Sequence, residues 1–114
     1  MDKKSEMDKG IPHIIVEIIE YVPNAVVCKT IIKKTTGNVT AISMASGEEL
    51  GEKITRFDTY VQIIDGTAEL TIDGKKMELK LGEGIIIPAH TTQVFNATQQ
   101  FKMITTIIKS GYEE

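Results

Sequence analysis

The sequence predicts an all-β fold of sandwich or barrel type, preceded by one short element. Three observations carry this. Short runs alternate apolar and polar residues, as strands with one buried face do, for example Ala68, Leu70 and Ile72 against Thr67, Glu69 and Thr71. Asp73-Gly74 stands between two such runs, and that dipeptide suits a tight hairpin because both turn residues need positive φ. Ile85-Ile86-Ile87 is apolar without alternation and ends at Pro88, the mark of a strand covered on both faces.

In chain order, residues 1–10 read as a loose charged tail separate from a single domain over 11–114. In Ile14-Ile15-Val16-Glu17-Ile18-Ile19 the i, i+4 apolar spacing suits a short helix, whereas the β-branched content suits a strand equally. We expect a short helix, broken at Pro23-Asn24. From Ala25 onward strands are expected over 26–33, 39–44, 59–64, 67–72, 76–81, 85–87, 93–96 and 101–109. Turns at Thr36-Gly37-Asn38, Ser46-Gly47 and Gly82-Glu83-Gly84 separate several of them. Glu48, Glu49 and Glu52, between Gly47 and Gly51, read as a solvated turn rather than a carboxylate site.

At 114 residues the chain makes one domain. Its net charge of −3, interleaved lysines and 5% aromatic content lack the one-signed basic stripe of a nucleic-acid surface. No segment has the apolar length of a membrane span. The charged first residues do not read as a signal peptide, so a cytoplasmic location is expected. Cys28 is the only cysteine, which excludes an internal disulfide and a thiolate cluster. It sits in an apolar alternation and is expected to be buried.

The spacing of Gly82 and Pro88, with Gly47 and Gly66 upstream, resembles the two motifs of the cupin superfamily over about residues 26–109. The run Phe57-Asp58 and the Pro88-Ala89 pair resemble a subgroup of small single-domain cupins, the cupin 2 conserved barrels. The resemblance implies a cupin-like jelly-roll β-barrel and a homodimer. Apolar positions on both faces of Ile104-Thr105-Thr106-Ile107-Ile108 also favour a dimer. The family's metal ligands would fall on Lys53 and Thr55 (or Glu52 and Ile54), Thr59 and Gln93. None is an imidazole, so no metal and no cofactor are expected.

His90 follows Pro88 at the end of the isoleucine strand and is a candidate general acid or base. The other reading is a rim histidine. Asp58 is its candidate partner. Lys53, Arg56 and Asp58 form a polar cluster in which the two cations could clamp an anion. A plain solvated loop is the alternative. Phe57, Thr59, Gln93 and Met44 are expected to line the pocket. Met77 and Met103 read as core filling, and His13 lies near the tail. Tyr60 and Gln62 alternate with Thr59 and Val61, so they should face outward, towards a subunit interface.

Three functions compete. The first is a metal-independent barrel that binds a small anionic molecule. The second is a cupin isomerase or lyase working by proton transfer between His90 and Asp58. The third is a dimeric scaffold with a vestigial cavity. The enzyme requires His90 and Asp58 to meet inside one cavity.

Overall fold

The computed structural model describes residues 6–112. It contains nine strands: β1 (Val26–Lys34), β2 (Gly37–Met44), β3 (Glu49–Ile54), β4 (Thr59–Gly66), β5 (Ala68–Ile72), β6 (Lys75–Leu79), β7 (Gly84–Ile87), β8 (Thr92–Asn96) and β9 (Phe101–Ile108). They form two antiparallel sheets, ordered β1-β2-β9-β4-β7 and β3-β8-β5-β6. The all-β expectation holds, and the Asp73-Gly74 turn has φ of 47° and 81°, as a type I′ hairpin requires.

The strand missing from the sequence reading is β3, which that reading placed in a solvated turn. Its glycine and three charged residues oppose strand propensity. It forms because β8 offers a free edge, and an edge strand tolerates charge.

The inner faces pack into one core. Met44, Ile63, Ala68, Leu79, Phe95, Ala97 and Phe101 are buried. The Phe95 and Phe101 rings meet at 6.4 Å between centroids in a tilted arrangement. Met44 pairs with Phe101, at the opposite end of β9 from Ile107, the partner of Thr59. Six residues of strand separate the two rows, about 20 Å. Met44 therefore plugs the closed end and does not line a pocket with Thr59. Cys28 is exposed rather than buried, on a strand, β1, that forms the edge of its sheet.

The N-terminal segment is a strap across the outer face of the five-stranded sheet. Among the described residues its only helical turn is a 3₁₀ turn, Ile15–Glu17, too short for the helix expected. Its β-branched residues crowd a helix, and tertiary bonds hold the strap extended around that turn. The Met7 N–H donates to the Ile31 carbonyl at 3.1 Å, and Glu6 accepts the Lys33 N–H at 2.8 Å. Residues 6 and 7 are thus tied to β1, and residues 1–5 of the expected tail lie outside the described residues. Further along, Ser43 Oγ donates to the Glu20 carbonyl at 2.9 Å. Lys102, only 8% exposed, donates to the Val16 carbonyl at 2.6 Å and lies 4.9 Å from the Tyr21 ring centroid. The Tyr21 hydroxyl donates to Asp65 at 2.5 Å. Among the described residues no helix is long and apolar enough to cross a membrane.

Burial, then the hydrogen bond to Asp65 and the charge of that carboxylate, push the Tyr21 hydroxyl well above the ordinary tyrosine value. A group with a raised folded pKa contributes stability that is fully present below its unfolded pKa near 10 and lost as pH rises through the folded value. Ultraviolet titration should therefore show one of the three tyrosines ionising last, together with loss of stability. Tyr21→Phe should cost about 1–2 kcal/mol in urea unfolding at neutral pH, because Asp65 loses its donor.

Candidate functional site

Directly opposed residues of antiparallel strands share a face, so the register identifies what lies inside each end. In the five-stranded sheet the last inward row is Lys33, Asn38, Ile107, Thr59 and Ile87. The row before it holds Thr30, Thr40, Thr105, Val61 and Ile85. In the four-stranded sheet the matching end row is Lys53, Gln93, Ile72 and Lys75. The loops joining β3 to β4 and β7 to β8 place both end rows at the same, open end. The inner surface thus changes from apolar at the closed end to hydroxyl, amide and ammonium groups at the open one.

Two of these polar groups are deeply set. Thr59 is 5% exposed and Gln93 8%. Among the described residues the Thr59 Oγ1 has no hydrogen-bond partner. A buried hydroxyl in that condition costs roughly 1–3 kcal/mol.

Lys53 reaches the inner face through an irregularity. Leu50 pairs with Phe95 and Lys53 with Gln93, so three steps along β3 match two along β8. Such a bulge reverses the phase of alternation. Without it Glu52 would stand beside Gln93; with it, the ammonium group does. Sequence alternation alone could not reveal this, although Gly51 at the bulge is a usable signal.

The loop entering β4 is tied to the turn after β7. The Asp58 Oδ1 accepts the Ala89 N–H at 2.8 Å, and the His90 N–H donates to the Thr55 carbonyl at 2.7 Å. The Thr55 hydroxyl donates to the Phe57 carbonyl at 2.6 Å. Tyr112, which the sequence reading missed, accepts the Asp58 N–H at 2.9 Å, and its ring meets Phe57 at 5.8 Å between centroids. Arg56 is exposed, its guanidinium 6.0 Å from the Phe57 centroid.

His90 is exposed and its backbone is left-handed, φ 68°. The proton-transfer pair is therefore not assembled inside the barrel. The Asp58 carboxylate holds a loop together, and the His90 ring sits on the rim. His13 is exposed on the strap.

The donors at the open end do not fit a transition metal. Lys53 offers an ammonium, Thr59 a hydroxyl and Gln93 an amide, and the Thr55 hydroxyl is spent on Phe57. Such a metal favours imidazole, thiolate or carboxylate. Among the described residues no three His, Cys, Asp or Glu side chains could hold one ion.

No family model matches the sequence, and no curated protein matches it. Solved structures do. A conserved protein of unknown function from Streptococcus pyogenes superposes with a TM-score of 0.86 at 22% identity, over 92% of each chain. A cupin superfamily protein from Desulfitobacterium hafniense gives 0.85 at 24% identity, over 91% of this chain and 95% of that one. The chain has the cupin-type barrel fold. A cupin 2 conserved barrel domain protein from Leptotrichia buccalis gives 0.80 at 29% identity, over 82% of this cupin barrel and 46% of that longer chain.

Two variants check the site. Thr59→Val removes the orphan hydroxyl at nearly constant shape and should raise stability by about 1 kcal/mol in urea unfolding. Asp58→Ala should lower it by about 1–2 kcal/mol, because the Ala89 N–H loses a charged acceptor.

Proposed function

We propose that this cupin barrel binds a small anionic molecule at its open end, and that it does so without a metal. The observation that carries this is the buried Thr59 hydroxyl without a partner, set in an inner surface rimmed by lysines. A ligand oxygen accepting from Thr59 would relieve the cost of that orphan, and Gln93 supplies both a donor and an acceptor beside it. Lys53 stands on the inner face next to Gln93 because of the β3 bulge, while Lys33 and Lys75 end the facing rows. With no acidic side chain in either end row, a carboxylate or phosphate meets attraction on entry. Arg56, on the exposed loop, adds a planar donor for the same groups. Binding rather than proton transfer is favoured because Asp58 is committed to Ala89. A reducing cytoplasmic setting suits the exposed thiol of Cys28.

The test is calorimetry and thermal shift with malate, glucose 6-phosphate and uncharged glucose on metal-free protein. A ligand that binds only the folded state raises the melting temperature with concentration. One or both anions should bind, glucose should not, and Lys53→Gln should weaken anion binding by about tenfold, the effect of losing one partly exposed charge contact. Equal response to glucose, indifference to Lys53→Gln, or binding only after metal is added would overturn the proposal.

A further inference from the structure

The tip of the β1–β2 hairpin gathers a second group of cations. Lys33, Lys34, Thr35 and Lys109 line one open cleft of about 540 Å³. Lys109 lies far along the chain from the hairpin, and its own backbone brings it there: its N–H donates to the Thr36 carbonyl at 2.7 Å. The lining is thus three ammonium groups and a hydroxyl. Among the described residues the acid that approaches them is Glu6, whose Oε2 accepts the Lys33 N–H at 2.8 Å. That bond first, and the charges of Lys34 and Lys9 after it, hold the Glu6 carboxyl below its usual value. One carboxylate offsets one of the three charges. The remaining cations repel one another, and an anion in the cleft would relieve that repulsion.

The cleft is aligned with the buried hydroxyl of the barrel. Lys33, Asn38, Ile107 and Thr59 follow one another in a single inward row. Lys33 and Thr59 are therefore three strand spacings apart, about 14 Å along the sheet. Hydrogen bonds of about 3 Å at either end leave roughly 8 Å between two groups held there. An apolar side chain and an amide lie between. The Asn38 Oδ1 accepts from the Thr40 hydroxyl at 3.4 Å, and its NH₂ remains as a donor. Polar anchors at both ends and an isoleucine in the middle suit an elongated molecule better than a compact one.

We propose that the ligand of the open end carries two anionic groups, one at each end of an elongated frame. The inference rests on the anion binding proposed above and adds the number and spacing of the charges. The first carboxylate or phosphate meets Thr59, Gln93 and Lys53. The second meets Lys33, Lys109 and the Thr35 hydroxyl in the hairpin cleft, and the frame crosses Ile107 and Asn38. Once the first group is held, the second contact is intramolecular, so the two anchors reinforce each other. A molecule with one anionic group gains only one of them.

The experiment is calorimetry on the full chain with α,ω-dicarboxylates from succinate to sebacate, each beside the monocarboxylate of equal length. Affinity should peak near pimelate and suberate, whose extended carboxylates match the span. Suberate should bind about tenfold or more tighter than octanoate, the effect of one added charge contact. Lys109→Gln should reduce that advantage, and Lys33→Gln combined with Lys109→Gln should abolish it, with octanoate held within about twofold. Lys80→Gln, an equal loss of charge at the closed end, should change neither. All three lysines are exposed, and circular dichroism should show an intact fold in each variant. Monocarboxylate binding that Lys53→Gln weakens, with no gain from a second carboxylate, keeps the anion site and overturns its two-anion ligand. Affinity that climbs with length equally in both series also overturns it, because apolar contact alone then accounts for the trend. No binding in either series overturns it too, and the trials with malate and glucose 6-phosphate then decide the anion site separately.

Discussion

Strand β9 holds this molecule together. It pairs with β2 on one side and β4 on the other, and that double register fixes which residues face inward at each level of the barrel. Because side chains alternate with period two, a slip of one residue would exchange Met103 for Lys102 in the core and turn Thr59 out to solvent. The buried Lys102 opposes such a slip, since its ammonium finds an acceptor only on the strap side and would be stranded inside. One pairing therefore places the apolar plug and the polar open end together.

The inner surface has two regimes. Towards Met44 and Phe101 the packing is dry and aromatic, and it supplies the stability. Towards Thr59 and Gln93 the same alternation delivers polar groups that core packing alone would not choose. A chain selected only for stability would put valine at Thr59. The hydroxyl retained there, with an ammonium turned inward by a bulge, is the observation on which the proposed ligand binding rests.

Much of the fold was legible in the sequence. Alternation, turn residues and the unbroken isoleucine run located eight strands, and Asp73-Gly74 marked its hairpin. The glycine and proline spacing around Gly66, Gly82 and Pro88 suggested the barrel before any coordinates. What escaped was what local pattern does not encode. The strand β3 has a loop-like composition and exists only because β8 accepts it. Met44 looked like a pocket residue until long-range register set it at the other end. Cys28 alternates like a core residue but lies on an edge. Tyr112 reaches Phe57 and Asp58 from far along the chain, and nothing near it in sequence signals that contact. Asp58 and His90 were read as chemistry from their neighbours, whereas the fold uses the first as a clamp and leaves the second on the rim.

The most direct measurement is an atomic-resolution crystal structure of metal-free protein, with density inspected around Thr59 Oγ1. The account holds if a water or a ligand oxygen sits within about 3 Å of that atom, bonded onward to Gln93 or Lys53, and no metal ion occupies the interior. It is contradicted if the hydroxyl is satisfied by a protein carbonyl in a dry, closed interior, or if protein side chains there ring a metal ion.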